Sequence, residues 1–322
     1  ANGGWDKELA GIWVAKFEAG YASGNNKATV KASSVNYSQD TSWVAKVEAG
    51  TSSDSTQPAR NWLDGKYGST TTAIKYPTFQ GLTYSMNYIN HNDAYRISKV
   101  LTESGNIYGL NSSSTDSHLM KNSEWGAVSY LSQSKYGLDG TNIVINSVYL
   151  NNTTKSVYAV TGCASSTADA SAVSTTIGAL NNRTQSSVYV WTQKNGTTAS
   201  STGTIYGIYD MSGGTWERTA SIVNNGNSNL TTYGSQIMAD LNNGGSTKYI
   251  TVYPHDSSKD NTSISNTDAN INTASQANYV KNTKIYGDGI RETSTAGTGT
   301  TSWYSDYSYF AGLNNPFFAR GG

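Results

Sequence analysis

The chain has 322 residues and a mass of 34.4 kDa, enough for one large domain or two of ordinary size. Its 22 basic residues balance its 22 acidic ones, which argues against a nucleic-acid footprint or an anionic membrane surface as partner. No apolar run approaches the roughly 20 residues of a membrane span, so no membrane insertion of this segment is expected. Charged residues make up only 14% of the chain, against roughly 25% in an average soluble domain. The crowding of Asn, Ser, Thr, Gly and Tyr suits an exposed, β-rich protein outside the cell. Aromatic content is high, with 8 Trp, 23 Tyr and 5 Phe, and each ring buries on the order of 150–250 Å². The single cysteine, Cys163, excludes an intrachain disulfide and a multi-cysteine metal cluster. It reads as a small buried residue.

In chain order, the first distinctive feature is Trp13–Gly20, Trp-Val-Ala-Lys-Phe-Glu-Ala-Gly, which recurs at Trp43–Gly50 with one exchange, Phe17 for Val47. Trp13, Ala15, Phe17 and Ala19 alternate with Val14, Lys16, Glu18 and Gly20, the period of a strand with one buried face. Two similar strands of one sheet explain the echo better than a duplicated binding edge. A helix is expected at about 92–103, capped by Asn92 or Asp93, with Ala94, Ile97 and Leu101 at helical spacing before Gly105. A second is expected at about 122–135, with Asn122 or Ser123 as cap and Glu124 in its first turn. Trp125, Val128 and Leu131 form its stripe, and Gly137 closes it. An Ile/Val-rich run at 142–150 reads as a strand. The polar stretches at about 164–204 and 221–302 read as long surface loops with short strands. Ile-Tyr-Gly occurs at Ile107, Ile205 and Ile285, but the unequal spacing argues against a solenoid or propeller.

Gly203–Glu217, Gly-Thr-Ile-Tyr-Gly-Ile-Tyr-Asp-Met-Ser-Gly-Gly-Thr-Trp-Glu, carries the densest signal. Ile205, Tyr206, Ile208 and Tyr209 favour a strand, Ser212-Gly213-Gly214 a turn, and Trp216 an apolar anchor at a second short strand. Asp210 and Glu217 flank the turn. Two readings of this pair stay open: carboxylates of a hairpin facing water, or oxygen ligands of a hard cation such as calcium.

Catalytic constellations are sparse. The chain has no phosphate loop, no His-Glu-x-x-His and no Cys-x-x-Cys. Of the three histidines, His91, His118 and His255, none stands in a nucleophile-elbow context. His118 beside Asp116 reads as a loop residue capping the helix that follows. The carboxylates are too scattered to nominate a glycosidase pair.

The Gly203–Glu217 motif resembles the Gly-Leu-Tyr-Asp-Met-x-Gly-Asn-x-Trp-Glu segment of the formylglycine-generating enzyme (sulfatase-modifying factor) family, a variant of the C-type lectin fold. Gly11–Glu18 is similar to its early strand, Trp125–Leu131 to its Glu-Trp-plus-helix element, and Phe318–Gly322 to its Arg-Gly-Gly strand. Asp116–Val128, Tyr209–Gly214 and Trp303–Tyr307 further resemble a group of bacterial surface, pilin-associated and prophage proteins of that fold. The resemblance implies a calcium site made by the Asp210 side chain, the Gly213 and Thr215 carbonyls and the Glu217 carboxylate. The chain departs from the enzyme pattern at Asp210, where an amide is usual, and at Gly214, where Asn is usual. The reactive cysteines of the enzyme follow the Arg-Gly-Gly strand, whereas Cys163 lies far upstream, so the oxidase activity is not expected.

The expectation is one domain over residues 1–322, α+β, of C-type lectin/formylglycine-generating-enzyme type, with few helices, short antiparallel strands and long ordered loops. An anchor before Ala1 and a continuation after Gly322 are expected to complete it. The resemblance implies a non-catalytic adhesion or binding module on a bacterial filament or phage particle. Its ligand, a protein or glycan, would be held by Trp303, Tyr304, Tyr307 and Tyr309, where alternating Tyr gives rigid amphipathic contact. The alternative is a structural subunit that assembles with copies of itself through strand edges and polar loops. A hydrolase is a weaker third reading.

Overall fold

The computed structural model describes residues 10–21, 77–79, 83–84, 90–102, 104, 108–143, 161–163, 191, 196–212, 217–243, 247–254, 287–293, 303, 311 and 314–321. Across these residues the protein is mixed α/β, with few helices around a small three-stranded sheet. Its strands are β1 (Gly20–Tyr21), β2 (Pro77–Thr78), β3 (Thr83–Tyr84), β4 (Gly162–Cys163), β5 (Glu217–Asn224), β6 (Thr251–Pro254) and β7 (Phe317–Arg320). The helices are α1 (His91–Lys99), α2 (Asn122–Gln133), α3 (Asn229–Tyr233), α4 (Ser235–Asn242) and α5 (Ile290–Thr293).

The central sheet has the order β6-β5-β7. β5 runs antiparallel to β7, with Glu217 opposite Arg320 and Ile222 opposite Phe317, and an irregularity between Arg218 and Ile222. Against β6 it is parallel, Ser221 facing Thr251 and Val223 facing Tyr253. β3 and β4 are parallel too, while β1 and β2 are antiparallel, so the expected all-antiparallel pairing holds for only part of the structure. A parallel neighbour needs a long crossover, and β6 follows β5 only after α3 and α4.

β5 is covered on both faces, as a central strand must be. Ala220 and Ile222 join Tyr95, Leu230, Ile237, Ile250 and Phe317 in one core cluster. Val223, on the opposite side, joins Tyr253, Ile290, Ala311 and Phe318. The alternation of Phe317 and Phe318 between the same two clusters follows from the two-residue period of β7. Leu230, Ile237, Met238 and Leu241 bring α3 and α4 onto the first cluster. This part of the 221–302 stretch is therefore helical core rather than surface loop.

Both expected helices form, with different caps. The side chain of Asn90, not Asn92 or Asp93, accepts the Asp93 N–H at 2.8 Å. Asn92 instead accepts the Gln236 N–H at 2.9 Å and the Ser235 hydroxyl at 3.0 Å, capping α4 across space. At α2 the cap position is Lys121, whose N–H donates to the Glu124 carboxylate at 2.9 Å. α2 runs close to the start of α5: a Cβ on Gly126 would stand 2.0 Å from the Gly287 carbonyl oxygen. Asn142 and Ile143 are not in a strand, and the rest of the 142–150 run lies outside the described residues.

Candidate functional site

The segment expected as a one-faced strand is irregular over residues 11–19. Phe17 is buried as expected, but Trp13 and Ala15 are exposed, and Val14 packs against the Trp125, Val128, Ile143 and Met211 cluster. The reason is the surface beneath it. The Tyr209 N–H donates to the Lys16 carbonyl at 2.9 Å, and the Phe17 ring lies 5.4 Å from Tyr209 and 5.0 Å from Trp191. These contacts fully bury only Phe17 of the expected apolar face; Ala19 is half-buried. Lys16 then lays its ammonium 4.2 Å from the Trp191 ring centroid and donates to the Ile205 carbonyl. Partial burial pulls the Lys16 ammonium below the ordinary lysine value.

The loop that receives this segment is the expected Ile205–Tyr209 strand, and it is a set of turns. Ser201 N–H donates to the Ile208 carbonyl at 2.8 Å, and Gly207 N–H to Thr204 at 3.1 Å. Ser200 and Thr204 hydroxyls bond nearby backbone groups as well. Side-chain hydroxyls competing for backbone partners override the strand propensity of Ile and Tyr. Tyr206 is left 86% exposed and Ile205 38% exposed, and on the Gly11–Glu18 segment Ile12 is 41% exposed and Trp13 wholly so. Two mutually anchored stretches thus present large apolar side chains to solvent.

Asp210 is buried and adopts a positive φ of 62°, a backbone state that non-glycine residues take at a cost. Its carboxylate accepts the Thr161 hydroxyl at 2.6 Å and lies 3.5 Å from the Glu18 N–H. Glu217 accepts the Trp125 indole N–H at 3.0 Å. Gly321, at φ 74°, leaves room for that carboxylate: a Cβ there would stand 2.4 Å from Glu217 Oε2. Gly213 and Thr215 lie outside the described residues. Among the described residues, no three His, Cys, Asp or Glu side chains gather as a metal-holding group.

Of the four aromatics expected to bind ligand, Tyr304, Tyr307 and Tyr309 lie outside the described residues. Trp303 is half-buried. It packs on the Trp125 cluster and edge-on to Tyr130 at 5.3 Å, and its backbone N–H donates to the Glu292 carbonyl at 2.9 Å. His118 sits at the head of α2 with Nε2 2.9 Å from Glu124 Oε1 and Nδ1 4.0 Å from Asp116, which pairs with Lys248. It ties the loop to the first turn of α2. Sequence reasoning missed Trp191, although a Trp isolated in a Ser/Thr/Asn tract is itself a signal of a packed anchor, and it missed the exposure of Trp13 and Tyr206.

Comparison of the chain with protein-family models, curated proteins and solved structures finds no match.

Proposed function

We propose that this chain is a non-catalytic, extracellular binding module of C-type-lectin-like fold, displayed on a bacterial filament or phage particle, that holds a protein or glycan through exposed aromatics. The carrying observation is that Trp13 is wholly exposed and Tyr206 nearly so, on two segments pinned together by the Lys16–Tyr209 backbone bond and the Lys16–Ile205 contact. An aromatic ring held in water gains nothing for the fold, and rigid aromatic anchors dominate recognition surfaces. The single cysteine supports the non-catalytic reading against the oxidase of the resembled family.

The test is retention of the purified chain on glycan arrays and on bacterial cell surfaces. Trp13→Ala with Tyr206→Ala is expected to weaken the interaction at least about tenfold, while leaving stability within about 0.5 kcal/mol, as suits exposed positions. Tyr304→Ala with Tyr307→Ala, measured in parallel, reports whether the late aromatics share the surface. Undiminished retention by both double variants overturns the proposal.

Calcium bound by Asp210, Glu217 and the Gly213 and Thr215 carbonyls belongs to the same proposal. The buried Asp210 held in a positive-φ state supports it, since strained backbone persists where the surroundings demand it. At calcium about 100 times its dissociation constant, the thermal midpoint is expected to rise by about 4 °C over that in chelator. Coincident midpoints count against the site.

A further inference from the structure

Gly11–Glu18 behaves as a ligand held in cis, and its contacts spell out what its seat accepts. The seat donates the Tyr209 N–H to a backbone carbonyl of the segment at 2.9 Å, and holds an ammonium 4.2 Å from the Trp191 ring centroid and at the Ile205 carbonyl. It places a backbone N–H 3.5 Å from Asp210 Oδ2 and an aliphatic Val14 against the Trp125 cluster. Phe17 closes it by packing on Trp191 and Tyr209.

Trp43–Gly50 offers the same groups in the same order, with Val44, Lys46 and Glu48 in place of Val14, Lys16 and Glu18. This segment lies outside the described residues. Only the Phe17 ring is lost, replaced by Val47, so the second copy fits the seat with less buried aromatic surface. Each chain therefore carries two matching plugs, and one seat for them among the described residues.

We propose that the seat formed by Trp191, Ile205, Tyr209 and Asp210 accepts Trp43–Gly50 of a second copy of this chain. Exchange of an identical element between protomers is a low-cost route to association. A plug and seat at different places on one chain make a head-to-tail contact, which extends into a filament unless rotation closes it into a ring. The first copy wins in cis at low concentration because Phe17 packs on two rings. Its displacement is the concentration-dependent step. Displacement of Gly11–Glu18 carries Trp13 away from the seat, so target recognition is read on the monomer, where that segment stays in place.

Phe17→Val makes Trp13–Gly20 identical to Trp43–Gly50 over eight residues and keeps an apolar side chain in the seat. Binding of a labelled Trp-Val-Ala-Lys-Val-Glu-Ala-Gly peptide is read by fluorescence anisotropy. It is expected to be about tenfold tighter for the Phe17→Val chain than for the unaltered one. Replacing the peptide lysine with alanine, or Trp191→Ala in the chain, is expected to remove most of that gain. Sedimentation of Phe17→Val is expected to show concentration-dependent assembly, abolished when Lys46→Ala is added. Absence of peptide binding to a Phe17→Val chain with native near-ultraviolet circular dichroism overturns the inference. Binding that does not depend on the lysine also overturns it. Peptide binding by a chain that stays monomeric at every concentration assigns the seat to the chain's own second copy and overturns the intermolecular contact. Target retention on arrays, measured on the monomer, succeeds or fails separately.

Discussion

Arg320→Met is expected to lower the free energy of unfolding by about 3–5 kcal/mol at pH 7, the range for removing one member of a buried charged network. Arg320 is 1% exposed, with its guanidinium 3.9 Å above the Trp125 ring. It donates to the Asp288 carbonyl at 2.9 Å, to the Thr293 hydroxyl at 3.0 Å and to Asn122 Oδ1 at 3.4 Å. Asn122 in turn accepts from Thr219 and donates to the Tyr253 hydroxyl, which donates to the Asp288 carboxylate at 2.8 Å. Methionine fills similar volume but takes the guanidinium donors away from the Asp288 carbonyl and the Thr293 hydroxyl, while Asn122 keeps only the Thr219 hydroxyl, and a buried acceptor that loses its partner costs more than the bond itself contributed. The loss also depends on pH in a fixed direction. Burial raises the Asp288 carboxyl above its usual value, and the Arg320 charge opposes that rise. Without the charge the folded-state value moves further up, so the ionised carboxylate becomes more costly to keep buried. The penalty is therefore largest above that raised value and smaller in acid, where Asp288 holds its proton. Urea unfolding of both proteins at pH 7 and pH 4 checks this. An equal loss at the two pH values counts against the electrostatic part of the account, and a loss within about 0.5 kcal/mol overturns all of it.

The apolar stripes of α1 and α2 were legible in part: Ala94 and Ile97, and Trp125 and Val128, repeat at helical spacing and are buried, whereas Leu131, expected in the same stripe of α2, is exposed. Their caps were not. Asn90, Asn92 and Asp93 are equivalent cap formers in sequence, and the decision rests on α4, which recruits Asn92 from outside its own chain neighbourhood. The burial of Arg320 was illegible for a related reason: Phe-Ala-Arg-Gly-Gly contains no partner for the guanidinium, and Asn122, Asp288 and Thr293 all come from distant segments. At the candidate site, the alternation from Trp13 to Ala19 announced an apolar face but not which side chains would turn inward. Tyr209 and Trp191 set that choice by drawing in Phe17. The strand-forming residues at Ile205–Tyr209 lost to Ser and Thr hydroxyls that satisfy the same backbone locally.

His91 is expected to make the protein acid-labile, with a loss that begins near neutrality. The ring is buried, stacks on Phe317 at 4.2 Å with a 17° interplanar angle, and places Nε2 3.0 Å from the Phe318 carbonyl oxygen. A carbonyl only accepts, so the neutral ring donates its Nε2 proton there. Burial pushes the imidazole down from 6.5 to about 3; the Arg218 charge adds to that shift, and the bond to Phe318 partly offsets it. Above the unfolded value of 6.5 both states are neutral and stability does not respond to this group. As pH falls below that value the unfolded chain takes up a proton that the folded chain refuses, at about 1.4 kcal/mol per pH unit. The loss continues until the folded value near 3 is reached. His91→Gln keeps a donor for the Phe318 carbonyl and cannot titrate. Between pH 7 and pH 4 the unaltered protein is expected to lose about 3 kcal/mol more than this variant, read from urea unfolding. The ring resonances of His91, assigned by their absence from the variant, are expected to stay at the neutral position down to pH 4. A midpoint near 6.5 would place a charged imidazole in the folded core and overturn the burial argument, because a ring seated on Phe317 has no water to solvate that charge.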